Sequence, residues 1–480
     1  MLATSIRRSI LAPTIRQLLS SPTLPSNEVT VTGFIKSIRR QKRVSFAVVS
    51  DGSNAKGLQA VFLGESGQAV LTELTNGASV RITGKLSKSL GAGQEHELVV
   101  SNAQVIGTCD SEIYPIQKQS LSTEFLRDNV HLRARTSNIG AMVRLRAALQ
   151  RELHSWFDKN DFIHIHTPIL TSNDAEGAGE TFRITTARET PEKTLGSSNT
   201  QQKHEPSHFF NAPAHLTVSA QLHLEAFQHA ISRVWTLSPA FRAERSDTSR
   251  HLAEFWMLEA EWSDTDARGV RGICAVVEDM LRGIIGGVLE KRKEDLHVLK
   301  SDTQTQTQTL EKAVSNSTPW PILTYTQAIT SLSQYYDSKP FAFTFKPEWG
   351  KGLQSEHERW LAKDGPVFVV DYPAALKPFY MRVNDEGETV ACFDLLIPGV
   401  GELVGGSVRE EREDVLRRRM NECGLDAEGA YKWYLDLRRY GGAPHVGFGM
   451  GFERLISWVG GIDNVKECVP VPRWAGRMLL

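Results

Sequence analysis

The sequence predicts an α+β fold: a largely antiparallel sheet carrying helices, preceded by a small β-barrel. Three observations carry this. From Val29 to Ile106 the chain runs as short alternating strands broken by turn signals. Beyond residue 130, strands and helices mingle without the regular alternation of a doubly wound sheet. Residues 233–262 read as two alternating strands joined by a long polar loop, hence an antiparallel pair.

The elements follow in order. Residues 1–27 carry Arg7, Arg8 and Arg16, many Ser and Thr, and no acid before Glu28. Ile6, Ile10, Leu11, Ile15, Leu18 and Leu19 fall near one helical face, the composition of a mitochondrial or plastid transit peptide, for which a frayed basic N-terminus is the plainer alternative. The expectation is a targeting segment over 1–27 and a destination in the mitochondrial matrix. Residues 28–107 form the barrel: "VTVTGFIKSI", "VSFAVVSDGS", "GLQAVFL", "ASVRITGKLS" and "ELVVSNAQVIG" give five strands of a Greek-key barrel of the OB-fold type. Its first hairpin, "KSIRRQKR", sets Lys36, Arg39, Arg40, Lys42 and Arg43 beside Phe46. Cations for phosphates and a ring for a base suit single-stranded nucleic acid, and a solvated hairpin tip explains the same charges. A linker spans 108–130.

The second domain spans 131–480. Ile139, Met142, Leu145, Leu149, Leu153 and Trp156 recur at helical spacing, and "FIHIHTPIL" reads as a strand. Two polar stretches, near 186–208 and 301–318, cannot fill a core and are expected as mobile loops.

Composition bounds the function. The chain has 480 residues and a formal net charge of −1, so nucleic-acid binding has to come from a local patch. No apolar run is long enough for a membrane helix. Cys109, Cys274, Cys392, Cys423 and Cys468 show no CxxC spacing, and the His164/His166 pair has no second cluster, which argues against a structural metal.

Three segments carry chemistry. In "FRAERSDTSRHLAEFWMLEAEW" the strand alternation brings Arg242 near Phe255 at the base of a charged loop. In "GFGMGFERLISW" Gly447, Gly449 and Gly451 share one strand face, a flat strip fit for a ring or a phosphate, and Arg454 follows near a helix start. In "CFDLLIPGVGELVGGSVRE" Asp394 and Glu402 flank a Pro-Gly turn, where two carboxylates can share Mg2+ bound to nucleotide phosphates, and Arg409 suits a carboxylate. Close packing and edge-strand charges explain each segment singly. Together they are the parts needed to hold ATP and activate its α-phosphate.

These residues resemble the class II aminoacyl-tRNA synthetases of the aspartate/asparagine/lysine subgroup, over nearly the whole chain after the N-terminal segment. The 241–262 stretch is similar to motif 2 and "GFGMGFERLISWVGGIDNVKECVPVPR" to motif 3. The helix and strand ending at "IHTPIL" are similar to motif 1, which implies a homodimer. "TSNDAEGAGETF" is similar to the loop that closes over the amino acid. The fold so implied is the antiparallel-sheet catalytic domain of class II synthetases with an OB-fold anticodon-binding domain. The resemblance implies that Arg242 grips the α-phosphate, that Glu244 and His251 lie along ATP, and that Phe255 and Arg454 sandwich the adenine over Gly449 and Gly451. It further implies Mg2+ on Asp394 and Glu402. Glu176 takes the α-ammonium, with Gln221, Glu225 and Arg409 around the amino acid. Arg39, Phe46 and Gln59 meet the anticodon. Arg242 and Arg454 are the catalytic pair.

Aspartate-type members carry a lysine where "SAQLHLE" has Leu224. A lost cation, with Glu225 adding negative charge, favours a neutral amide over a carboxylate. L-Asparagine and tRNA(Asn) are the substrates so implied. The rivals are an aspartyl enzyme, a non-catalytic tRNA or amino-acid binder, and a tRNA-independent amide-forming ligase.

Overall fold

The computed structural model describes residues 11–64, 71, 73–89, 91, 93–172, 181–186, 208–246, 248–299 and 304–480. The chain divides into two compact units: Met1–Leu145 with Lys293–Leu299 and Leu479–Leu480, and Arg146–Arg292 with Lys300–Met478.

The first unit holds a closed barrel of β1 (Val29–Arg39), β2 (Val44–Ser50), β3 (Leu58–Leu63), β4 (Ser79–Lys88) and β5 (His96–Gly107), in the order β1-β2-β3-β5-β4. Alternation along each strand sends Val31, Ile35, Ala47, Val49, Leu58, Ala60, Phe62, Val80, Ile82 and Leu98 into one core. Gly33 permits a close strand approach, since a Cβ there would lie 2.5 Å from the Ser50 carbonyl oxygen.

A short helix, α1 (Ile15–Leu19), belongs to this core. Thr14 and Gln17 form a capping box at its start. Ile15 and Leu18 are buried, the Ile15 N–H donates to Asp51 Oδ2 (2.8 Å), and the Arg16 N–H donates to Ser53 Oγ (3.0 Å). The later part of the expected 1–27 targeting segment is thus packed on the barrel. Residues 1–10 lie outside the described residues, but from Thr14 onward the segment is a built part of the barrel. Its amphipathic face covers barrel residues.

In the second unit an eight-stranded sheet runs β12-β13-β14-β15-β16-β11-β10-β6. The ranges are β6 (Ile163–His164), β10 (Arg233–Phe241), β11 (Glu254–Ser263), β12 (Ile322–Thr324), β13 (Val367–Pro373), β14 (Thr389–Ile397), β15 (Gly401–Val408) and β16 (His445–Gly451). Only the end pairs β6/β10 and β12/β13 are parallel among these. A three-stranded sheet of β7 (Leu170–Thr171), β8 (Arg183–Ile184) and β9 (Ala214–Leu216) accompanies it. The predicted motif 1 helix spans Ser137–Lys159. "FIHIHTPIL" is not one strand: pairing is confined to Ile163–His164 and Leu170–Thr171, on either side of Pro168.

A long helix, Gly269–Lys291, buries Ile273, Val277, Met280, Leu281, Ile284 and Ile285 and packs on β14, β15 and β16. The 301–318 stretch departs from the expected mobile loop. Residues Gln304–Ser315 form a helix, with Leu310 buried. Its end is held by Arg282, whose guanidinium donates to the carbonyls of Ala313 (2.8 Å), Val314 (3.0 Å), Asn316 (2.5 Å) and Thr318 (2.9 Å). One arginine satisfies the orphan carbonyls of a helix whose sequence gives little apolar signal. Most of the other polar stretch, 187–207, lies outside the described residues.

Candidate functional site

Strand register lays the site out on one face of the large sheet. Asp394, Gly405, Gly449 and Glu259 stand in one row across β14, β15, β16 and β11. Cys392, Ser407, Gly447 and Glu261 form the next row. The missing side chains are spaces for neighbours. A Cβ on Gly449 would meet Met257 Cε at 3.1 Å, and one on Gly447 would strike the Glu261 carboxylate at 2.2 Å. Gly447 therefore seats a protein carboxylate, while Gly449 and Gly451 remain on the open strip.

Arg242, Glu244, His251, Phe255, Glu402, Gly449, Gly451 and Arg454 all line one cavity. Sequence reading expected this whole set at a nucleotide, and the structure brings it together. The Arg242 N–H donates to the Ala253 carbonyl (3.0 Å), and Ala240 pairs with Phe255, which sets the guanidinium 5.4 Å from the Phe255 ring centre. Glu244 lies 3.9 Å from Arg242 and 3.5 Å from His251 Nε2. Burial and the nearby arginines 454, 250 and 242 push the His251 pKa below its ordinary value despite Glu244, leaving the ring neutral near pH 7. Arg454 donates to the Glu402 carbonyl (2.9 Å) and lies 3.6 Å from its carboxylate. Burial would raise the Glu402 pKa, but Arg454, Lys377, Arg250 and Arg242 hold it below the usual range.

Two contacts fix the loop and the helix that supply these groups. Arg250 donates to Ser355 Oγ (2.7 Å) and pairs with Glu358 (3.1 Å). Glu453 accepts from the Trp256 N–H (3.0 Å) and pairs with Arg146 (2.7 Å).

Beside this cavity lies a buried polar cluster around Glu225, which is fully enclosed. Its Oε1 accepts from Gln221 Nε2 (3.0 Å) and Tyr434 OH (2.8 Å). Its Oε2 accepts from Tyr434 OH (2.7 Å), Arg438 (2.8 Å) and His445 Nε2 (3.0 Å). Burial works to raise the Glu225 pKa, yet Arg438, His445 and Arg409 hold it well below the carboxylate range. Arg409 donates from Nε to Glu261 (3.1 Å), bonds the other Glu261 oxygen through Nη2, and donates to Ser407 Oγ (2.6 Å). Glu259 accepts from Ser219 Oγ (2.5 Å) and the Ala220 N–H (2.8 Å), and burial raises its pKa.

This geometry narrows what Glu225 can offer a substrate amide. Two carboxylate oxygens offer about four lone-pair sites, and protein donors fill them. Glu225 instead orients Gln221 and Arg438. Leu224 is fully buried on the same helix, Gln221–Gln228. Glu176 lies outside the described residues.

The carboxylate pair also departs from expectation. Asp394 and Glu402 do converge, for a Cβ on Gly405 would meet Glu402 Oε1 at 3.3 Å and Asp394 Oδ1 at 3.5 Å. Yet Lys377 Nζ donates to both Asp394 oxygens, at 2.9 and 2.7 Å. An ammonium thus already sits on Asp394, which the sequence reading expected as a metal ligand. Glu402 alone of the pair borders that cavity.

On the barrel, Arg39 pairs with Phe46, and Gln59 pairs with Val48, two residues along β2 from Phe46. All three expected anticodon residues thus occupy adjoining outer positions. Gln59 Nε2 donates to Glu97 (3.3 Å). Two cations of the hairpin have structural duties instead: Arg40 donates to the Leu71 and Leu74 carbonyls (3.0 Å each), and Lys36 to Ala55 O (3.2 Å) and Ser137 Oγ (2.9 Å).

Sequence reading missed Lys377, Glu259, Glu261, Tyr434, Arg438 and His445 as parts of the site. Glu259 and Glu261 had a signal, since two acids alternating on a central strand face must be matched. Tyr434 and Arg438 sit on a remote helix, Lys432–Arg439, and left none.

Residues 122–475 match the family described as tRNA synthetases class II (D, K and N), and residues 29–106 match the OB-fold nucleic acid binding domain. The chain is 43% identical to an asparagine–tRNA ligase of Treponema denticola, over 93% of this chain and 95% of that one. It is 44% identical to an asparaginyl-tRNA synthetase of Mus musculus, over 94% of this chain and 91% of that one. The crystal structure of asparaginyl-tRNA synthetase from Pyrococcus horikoshii complexed with asparaginyl-adenylate superposes with a TM-score of 0.82 at 31% identity, covering 98% of this chain and 99% of that one.

Proposed function

The chain belongs to the class II tRNA synthetases of the D, K and N group, and we propose that within it the chain is an asparagine–tRNA ligase. It activates L-asparagine with ATP and transfers it to tRNA(Asn). One observation carries the choice of amino acid. In the buried cluster beside the nucleotide cavity, Arg409 is matched by Glu261 and Arg438 by Glu225. A substrate carboxylate finds no unmatched cation there among the described residues, so the cluster favours a neutral amide.

The mechanism then has two steps. The asparagine carboxylate attacks the α-phosphorus, the bond to the bridging oxygen breaks, and pyrophosphate leaves. A terminal ribose hydroxyl of the tRNA next attacks the acyl carbon, and AMP leaves. Arg242 neutralises charge that builds on the α-phosphate during in-line displacement. Phe255 and Arg454 hold the adenine between a ring and a guanidinium. Gln221, kept in place by Glu225, and Glu176 in the closing loop orient the amino acid. Alignment and charge neutralisation supply the rate, without a protein nucleophile.

Glu402 fits a Mg2+ carried by the ATP phosphates, because its oxygens face the cavity and such an ion needs few protein ligands. When bound, that ion neutralises phosphate charge. Arg39, Phe46 and Gln59 read the anticodon by stacking and hydrogen bonding. A homodimer through the 137–171 elements is supported by exposed apolar residues there, Ile163 and Leu170 among them. A mitochondrial address is supported by Arg7 and Arg8 without neighbouring acids, and lies upstream of Thr14 because α1 is needed by the barrel.

ATP–pyrophosphate exchange with asparagine and with aspartate tests the reading. Exchange with asparagine, followed by charging of tRNA(Asn), is expected. Equal exchange with aspartate, or none with either, overturns it.

A further inference from the structure

We propose that Lys377 is a built-in cation of the nucleotide site, that Asp394 serves to hold it, and that Glu402 alone of the carboxylate pair is open to a metal ion. The inference rests on the synthetase reading above and sharpens what one side chain does within it.

Asp394 is already held by two side chains. Lys377 Nζ bonds both of its oxygens, and the Tyr372 hydroxyl is hydrogen-bonded to the same carboxylate. The ammonium also lies 4.0 Å from the centre of the Tyr372 ring, a cation–π contact on a partly desolvated group. Its backbone is pinned as well. Lys377 follows a single turn, Ala374–Leu376, and Arg419 donates to the carbonyls of Ala374 (3.0 Å) and Lys377 (2.9 Å) at its two ends. Both Lys377 and Asp394 side chains are 16% exposed.

A divalent ion bridging Asp394 and Glu402 would have to displace this ammonium. It would break a two-point charge-assisted bond and leave a buried lysine unpaired, a costly change. The ammonium already supplies what a second ion would supply. It is positive charge beside Glu402, whose pKa it helps to lower. Lys377 is thus a positioning cation, set next to the carboxylate that faces the cavity.

The test counts ions rather than turnover. Mn2+ bound to the full-length protein with α,β-methylene-ATP is titrated by electron paramagnetic resonance for the wild type, Asp394→Asn, Lys377→Met and the double variant. The expected result is an unchanged Mn2+ count for Asp394→Asn, with affinity within about threefold of wild type. Lys377→Met is expected to gain one Mn2+ per chain, and the double variant to lose that gain. Loss of a Mn2+ in Asp394→Asn overturns the proposal, as does a folded Lys377→Met with no additional ion. Asp394→Asn keeps a polar partner for Lys377 and Tyr372, so it decides the matter should Lys377→Met fail to fold. Wild-type exchange with asparagine, run on the same preparation, reports separately on the functional reading.

Discussion

Replacing Glu225 with Gln tests whether the buried cluster works as a unit. The change keeps volume and removes one charge. At Glu225 every partner is a donor: Gln221, Tyr434, Arg438 and His445. A glutamine has one acceptor oxygen and one NH2, so one end must now face donors. The least costly arrangement keeps the oxygen toward Arg438 and His445 and turns the NH2 toward Gln221. Two effects follow. Arg438 loses its charge partner, and breaking a buried pair costs about 3–5 kcal/mol, with the retained amide bond favouring the lower figure. Gln221 loses a bond to a charged acceptor, about 1.5–3 kcal/mol. If half or more of that appears in substrate binding, KM for asparagine rises by roughly 3- to 150-fold.

The pH dependence has a definite sign. The folded Glu225 pKa lies below its unfolded value, so its contribution is present above the unfolded pKa and is lost as pH falls through the folded one. The stability gap between wild type and Glu225→Gln is therefore widest at neutral pH and narrows below about pH 4.3. Urea unfolding at pH 7 and at pH 4, with exchange kinetics at pH 7, measures both effects. Coincident urea midpoints at pH 7, together with a KM within about twofold of wild type, would refute the reasoning.

Further outcomes follow from the same structure. Arg242→Ala is expected to abolish ATP–pyrophosphate exchange while leaving tRNA binding by filter assay intact; loss of both indicates misfolding. Phe46→Ala is expected to weaken tRNA binding by about 1–3 kcal/mol, one lost stacked base, with exchange unchanged. Leu170→Asp, placing a charge on an apolar residue that is 46% exposed at the proposed dimer contact, is expected to shift sedimentation velocity toward the monomer. Ile15→Asp buries a charge in the barrel core, where Ile15 is 1% exposed, and is expected to destabilise the barrel and reduce tRNA binding.

Local pattern made some parts of this site legible in the sequence and long-range pairing hid others. Arg242 and Phe255 could be brought together because alternation and a hairpin fix their register over a few residues. The barrel was legible for the same reason, from its turn spacing. Lys377 and Asp394 are also close in sequence, yet their pairing depends on the path of the irregular stretch between β13 and β14, and no periodicity encodes that. Arg438 and Glu225 are separated by 213 positions, and their contact is set by the packing of two helices. The helix Gln304–Ser315 was misread because its stop signal is Arg282, supplied from another helix. The boundary at residue 27 was not legible because amphipathic composition does not tell a targeting helix from one that covers a core, as Ile15 and Leu18 do.

The choice between an amide and a carboxylate can now be argued from charge rather than from one missing lysine. Leu224 removes a possible cation, but Arg438 brings another into the cluster from a distant helix. Were Arg438 unmatched, it would restore the preference for aspartate that Leu224 takes away. Its guanidinium is instead 2.8 Å from Glu225, as Arg409 is bonded to Glu261. Each positive group is held by a carboxylate on a neighbouring element, and Glu259 adds a third acid on the same strand face as Glu261. A substrate carboxylate entering here would meet acids whose partners are already engaged, and would be desolvated without compensation. An amide brings no charge to desolvate and can both donate and accept. Selectivity therefore lies in the pairing of the cluster. Separating Arg438 from Glu225 should erode discrimination against aspartate even with Leu224 in place, and exchange kinetics of Glu225→Gln with both amino acids would reveal it.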